Sequence, residues 1–216
     1  MKISRTVFII LLLNAIAVFA QKTHVDLIQI QGGTVNPVSG DYIIEAIERA
    51  EINEAECLII ELDTPGGLLS ATQKIVKEML SSNVPLVVYV SPSGAGAVSA
   101  GVSITIAAHF AVMAPGTSIG AAHPVTGGGT ADTSDVGIQK ATNWWASFNQ
   151  SIAEKRGRNP DWVVQAVRQS VSATETEALE NNVIDYICPN LDSLLILLNG
   201  KTAEVDIGVV TLNTKR

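Results

Sequence analysis

The sequence predicts an α/β domain with a mostly parallel sheet flanked by helices. Three observations lead there. Strand-like and helix-like stretches alternate along the chain, residues 86–90 are apolar throughout (Leu-Val-Val-Tyr-Val), and glycine- and proline-rich turns separate the elements. A strand with no polar side must be covered on both faces, which is how the crossover helices of a parallel sheet leave it.

In chain order, residues 25–30 alternate as a strand, 42–50 are helical, and 57–62 form a second apolar strand. Residues 68–80 place Leu69, Ile75, Val76, Met79 and Leu80 at helical spacing, after which Pro85 opens the strand at 86–90. Residues 100–109 read as a buried helix, while Val112 and Ile119 fall in short strands around the Pro115-Gly116 turn. The run 127–135, rich in glycine and small polar residues, reads as a loop, either a movable flap or an idle surface segment. A long helix follows at about 137–155, ended by Gly157, and Pro160 opens another through Arg168. Trp144, Trp145, Phe148 and Trp162 on these helices suit core and subunit contacts rather than a cofactor. Thr174 and Glu177 form a capping box, 183–187 a strand, 191–198 a short amphipathic helix, and 204–212, with Gly208 inside, a closing hairpin.

Chemistry concentrates at Ser99. It stands in the small-residue run Gly94-Ala95-Gly96-Ala97-Val98-Ser99-Ala100-Gly101, preceded by the turn Asp63-Thr64-Pro65-Gly66-Gly67 and followed by Lys140. A serine hydroxyl needs a neighbouring base, and the carbonyl it attacks needs two donors for the developing oxyanion. Ser99 in the first turn of a buried helix gains that helix's free N–H groups, so the Ala100 amide is one donor. Gly67 is the other, where a strand-to-helix turn without side chains can point a bare amide outward. Gly66, Gly67 and the apolar Leu68 then form an extended edge on which a strand-like peptide can lie. A lysine base has to be kept neutral by burial. Ile138, Ala141, Trp144 and Trp145 supply apolar bulk for Lys140, while Asp132 and Asp135 act against it. A histidine base would have to be His109, read as a packed or capping residue, or His123, read as part of a turn beside the site.

These turns, together with Met113-Ala114-Pro115-Gly116-Thr117-Ser118-Ile119-Gly120-Ala121-Ala122-His123-Pro124, resemble the N-terminal domain of the NfeD family. Its members are membrane-bound serine proteases of the Clp-protease/crotonase superfamily, related to signal peptide peptidase A. The resemblance runs from about Val25 to the C-terminus. It implies a fold of repeated ββα units, Ser99 as nucleophile, Lys140 as general base and the Gly67 and Ala100 amides as oxyanion hole. The 41-residue spacing from Ser99 to Lys140 agrees with the family pattern. It also implies cleavage of apolar segments of membrane-associated, stomatin-like proteins, no cofactor, and assembly as a homodimer or larger homo-oligomer. Three readings stand beside it: a non-catalytic scaffold binding a stomatin-like partner, a crotonase-like enzyme acting on an acyl thioester, and a processing role in signal-peptide degradation that differs only in substrate. In the family, transmembrane helices and a β-barrel domain usually follow this position, so a sequence ending at Arg216 is expected to be either a naturally short member or a fragment.

Residues 1–20 read as a signal peptide, with Lys2 and Arg5 ahead of an apolar run and a small residue, Ala20, at the cut. The alternative is an uncleaved anchor. The protease-like domain then spans 21–216 on the extracytoplasmic side, periplasmic or membrane-associated. Net charge is −7 for the whole chain and falls to −9 without residues 1–20, with no basic cluster, so nucleic acid is excluded as a partner. Cys57 and Cys188 read as two separate buried thiols, although an exported protein could pair them. Two cysteines and three scattered histidines give no metal-ligand spacing.

Overall fold

The computed structural model describes residues 23–124 and 135–215. Five parallel strands form the main sheet: β1 (Asp26–Gln31), β2 (Leu58–Asp63), β3 (Leu86–Val90), β5 (Phe110–Met113) and β8 (Tyr186–Ile187), in the order β1-β2-β3-β5-β8. Because each new strand is added on the same side, right-handed crossovers place every connecting helix on one face. That face carries α1 (Pro37–Ile52), α2 (Leu69–Leu80), α3 (Ala100–Ala107), α4 (Asp135–Lys155) and α5 (Pro160–Gln169). Leu58, Ile60, Leu62, Val88, Val90 and Met113 meet them in the larger core.

The opposite face presents Cys57, Ile59, Val87, Tyr89, Phe110 and Val112. It is covered by the helix Leu191–Leu198 and packs against Ala203 and Leu212, in and just beyond an antiparallel hairpin, β9 (Thr202–Val205) and β10 (Gly208–Thr211). Both cysteines are free and buried, as the sequence suggested. Burial, followed by the nearby Glu56 and Asp26 carboxylates, pushes the Cys57 thiol up to about 12.

A second row of short extended pieces runs beyond the ends of the main strands. Val35 bridges Gly67, Thr64 bridges Ala97, β4 (Gly96–Val98) pairs in parallel with β6 (Ser118–Gly120), and β6 pairs antiparallel with β7 (Ser172–Thr174). Strand, short second strand and helix therefore recur along the chain, which is the ββα repeat.

Several boundaries differ from the sequence reading. The first helix starts at Pro37, five residues before the expected 42, because Asn36 caps it and exchanges a capping box with Ser39. The expected strand at 183–187 shrinks to β8, since the Val183 and Ile184 amides instead donate to Ala178 O and close the helix α6 (Glu175–Glu180). The Thr174–Glu177 capping box is present on that helix. The loop expected at 127–135 lies outside the described residues, apart from Asp135, which begins α4. The expected signal peptide also lies outside them. Among the described residues no helix is long and apolar enough to cross a membrane. Of the four aromatic residues, Trp145 and Trp162 enter the core, Phe148 packs against it, and Trp144 stays 46% exposed.

At the opposite end of the sheet from the second row, two arginines take up helix-terminal carbonyls that have no partner within their helices. Arg156 donates to Ala107 O at 2.8 Å and Met79 O at 3.2 Å. Arg158, buried, donates to Ile106 O and Ala108 O at 3.0 Å each and to Asp185 Oδ2 at 2.6 Å. Asp185 also accepts from the Ala111 amide, so one buried cation ties α3, β5 and the entry to β8 together. Removing one partner of such a pair costs about 3–5 kcal/mol. Arg158→Ala should lose stability on that scale in urea unfolding, and no substitution of an exposed charge on α5 should approach it.

His109, half-buried between α3 and β5, accepts the Leu86 amide proton on Nδ1 at 3.0 Å. Burial first, then Arg156, holds its pKa down at about 3. The unfolded chain takes up that proton near pH 6.5 and the folded chain only near pH 3, so this contribution is complete above about pH 6.5 and lost as pH falls toward 3. Unfolding free energy measured from pH 7 to pH 4 should fall, and His109→Gln should flatten the slope.

Candidate active site

Ser99 sits between β4 and α3 with φ 54° and ψ −108°, a backbone conformation that L-residues rarely adopt. Three features hold it there. Its amide donates to Gly120 O at 3.0 Å, its carbonyl accepts from Val102 at 3.0 Å, and α3 behind it is buried at every residue. The Ser99 hydroxyl makes no capping bond to the helix, so the side chain is left for other work. This is the geometry of a nucleophile elbow, where a sharp strand-to-helix turn lifts a hydroxyl clear of the sheet. Ala100 is the first residue of α3, and its N–H has no acceptor one turn earlier.

The turn after β2 lies against this serine. A Cβ on Gly66 would stand 2.7 Å from Ser99 Cβ, and one on Gly101 would stand 2.9 Å from Thr64 Cγ2. Only bare Cα atoms allow the two turns to approach so closely. Thr64, buried, organises the inner side: its hydroxyl bonds Gly33 O at 2.8 Å and receives the Gly66 amide at 3.2 Å. Asp63 Oδ1 accepts the Gly96 amide at 2.9 Å, which fixes the start of β4. The roles of Thr64 and Asp63 were missed in the sequence, where both read only as turn residues.

The expected substrate edge is narrower than the sequence suggested. Gly66 has both backbone groups committed, its N–H to Thr64 and its C=O to the Val35 amide at 2.7 Å. It contributes through its missing side chain instead. In the parallel bridge, Val35 exchanges bonds with Gly66 and Leu68, so the N–H and C=O of Gly67 point to the other side. Gly67 and Leu68 are exposed, and a Cβ on Gly67 would overlap the Val35 backbone.

Lys140 departs from the expected burial: it is exposed on α4. The packed side of this helix is Thr142, Trp145, Asn149 and Ile152, and the helical period carries Lys140 off that side. Ile138 and Ala141 are half-buried and only Trp145 reaches the core. Among the described residues no hydrogen bond links Lys140 to Ser99. The histidines do not substitute for it. His109 stands at the opposite end of β3 from Ser99, and His123 Nδ1 is engaged with Val167 O at 2.9 Å. Among the described residues no His, Cys, Asp and Glu cluster could hold a metal ion.

Fold and site together define a class: a Clp-protease-like α/β domain that presents a serine on a strained turn ahead of a buried helix. Within that class, the chain belongs to the NfeD1b N-terminal domain family, whose profile matches residues 24–205. It is 36% identical over 183 residues to the membrane-bound protease PH1510 of Pyrococcus horikoshii, matching 84% of this chain and 42% of that protein. It is 28% identical over 143 residues to the membrane protein NfeD1b of Bacillus subtilis, matching 66% of this chain and 31% of that one. The chain thus spans less than half the length of these relatives.

Two solved structures of the 1510-N membrane-bound stomatin-specific protease superpose on 90% of this chain with a TM-score of 0.81. One is a lysine-to-alanine variant in complex with a substrate peptide (34% identity, 89% of that chain). The other is a serine-to-alanine variant (35% identity, 95% of that chain). The replaced serine and lysine stand the same number of positions apart as Ser99 and Lys140.

Gly66→Ala combines a positive φ of 122° with a Cβ driven into Ser99. It should destabilise the domain by about 2 kcal/mol or more in denaturant unfolding. It should also slow fluorophosphonate labelling of Ser99 relative to the parent, with Ser99→Ala as the unlabelled control.

Proposed function

We propose that this domain is a serine endopeptidase with Ser99 as nucleophile and Lys140 as general base, cutting an apolar, extended segment of a membrane-associated protein. The observation that carries the reading is the strained Ser99 turn, its hydroxyl free of the helix cap, with the glycine turn pressed against it. The printed names of the relatives, a membrane-bound protease and a stomatin-specific protease bound to a substrate peptide, support the reaction and a stomatin-like partner. Residues 1–20 act in this reading as a signal peptide and 21–216 as an extracytoplasmic catalytic domain working beside a membrane. A homodimer is the assembly it implies.

The substrate lies as an added strand along Gly67 and Leu68, pairing with the backbone groups of Gly67 that the Val35 bridge leaves free. Ser99 Oγ attacks the scissile carbonyl carbon while the Lys140 amine takes the hydroxyl proton. The carbonyl oxygen becomes an oxyanion held by the Gly67 and Ala100 N–H groups. Collapse of this intermediate breaks the C–N bond, and Lys140 passes its proton to the leaving amine. Water, deprotonated by the same lysine, then attacks the acyl ester and releases Ser99. The exposure of Lys140 requires that substrate or a second subunit cover it before it works as a base. The same exposure favours a second reading, a scaffold that binds an apolar segment without cutting it.

Residues 21–216 incubated with an apolar peptide library, and read by mass spectrometry, decide between them. The parent should cut, and Ser99→Ala and Lys140→Ala should each lower kcat by about 10³-fold or more. Peptide binding without cleavage by all three forms would establish the scaffold reading.

A further inference from the structure

We infer that the buried Ser103–Asn149 pair is a positioning device that fixes the helix bearing Lys140 against the helix bearing Ser99. The inference rests on the dyad proposed above. Every residue of α3 is buried, and within this apolar cylinder Ser103 donates to Asn149 Oδ1 at 2.6 Å. Both residues are fully buried, and Asn149 Nδ2 donates in turn to Trp145 O at 2.9 Å, so its amide is satisfied on both sides. A buried polar pair of this kind is costly unless both partners stay in register, which gives it directional authority that apolar contacts lack.

Its place in the two helices carries the argument. Ser103 follows Ser99 by four positions, so it stands one turn along the same side of α3. Asn149 lies on the packed side of α4 with Thr142 and Trp145. Seven residues further on, in the turn just past the end of α4, Arg156 Nε donates to Ala107 O, the last residue of α3. The two helices are therefore joined by polar contacts at two levels, one mid-helix and one at their C-terminal ends. Lys140 lies nine residues upstream of Asn149, a lever of about 13 Å at the helical rise. Among the described residues, loss of the upper contact leaves α4 with polar ties to the neighbouring helices at its C-terminal end, through Lys155 to Leu80 O and Arg156 to Ala107 O, and with apolar packing above them. A tilt of about 10° then carries Lys140 about 2 Å, and a displacement of about 1 Å in a reacting group can cost about 10²-fold in rate.

The test compares residues 21–216 with Ser103→Ala/Asn149→Leu, which removes the hydrogen bond without leaving an orphaned amide, and with Ser103→Thr, which keeps the hydroxyl. Cleavage is followed on the best-cut apolar peptide. Amide hydrogen exchange of residues 136–148 is read in parallel. The expected result for the double variant is a thermal midpoint close to the parent, KM within about twofold, kcat lower by about tenfold or more, and faster exchange of 136–148. Ser103→Thr should recover most of kcat. Parental kcat and parental exchange in the double variant would overturn the inference. So would a rise in KM with kcat unchanged, since that would place the pair in substrate binding. If the parent and its Ser99→Ala and Lys140→Ala variants behave alike, the dyad reading has failed, and exchange alone then decides whether the pair holds α4.

Discussion

The close approach of the turn after β2 to the Ser99 turn, made across Gly66 and Gly101, is the constraint on which the site depends. Gly66 meets Ser99 and Gly101 meets Thr64 at distances that no Cβ at either glycine would allow. That approach joins the turn after β2 to the junction of β4 and α3 and lets the second row of short strands form. Ser99 keeps its unfavourable φ because the Gly120 carbonyl, the β4–β6 ladder and the buried α3 fix the chain on both sides of it. Strain of this kind costs on the order of 1–3 kcal/mol and persists only where its surroundings overdetermine it. The surrounding structure here meets that condition.

Much of this was legible in the sequence. The apolar run at 86–90 marked a strand covered on both faces, and Asp63-Thr64-Pro65-Gly66-Gly67 marked a turn that had to be bare. Helix starts were harder: Asn36 and Pro37 carry an ordinary capping signal, yet Val38, Ser39 and Gly40 hide the apolar period behind them. The strand expected at 183–187 failed for a related reason. Val183 and Ile184 are apolar because they plug the core below α6, and their amides serve its C-terminus rather than a ladder. Arg158 and Asn149 could not have been found by pattern at all. Their roles depend on carbonyls and hydroxyls about 45 or more residues away in sequence.

The proposed catalytic groups differ in how completely the chain prepares them. Ser99 and Ala100 are set by local backbone geometry, and Gly67 by its bridge to Val35. Lys140 is set only through the placement of a long helix, by contacts made below it. A hydroxyl on a rigid turn and an amine near the end of a lever respond differently to whatever binds between them. The first stays where it is, and the second can be adjusted.

The strand order has a further consequence on the other side of the sheet. Since all crossovers fall on one face, the opposite face has, among the described residues, the Leu191–Leu198 helix, the β9–β10 hairpin and the adjoining tail over it. Cys57 and Cys188 both belong to that cluster, and Tyr89 donates its hydroxyl to Cys188 O there. The domain's two thiols are therefore screened from solvent by this helix and hairpin rather than by the larger helical layer, so any reagent that reaches them has to displace that cover first.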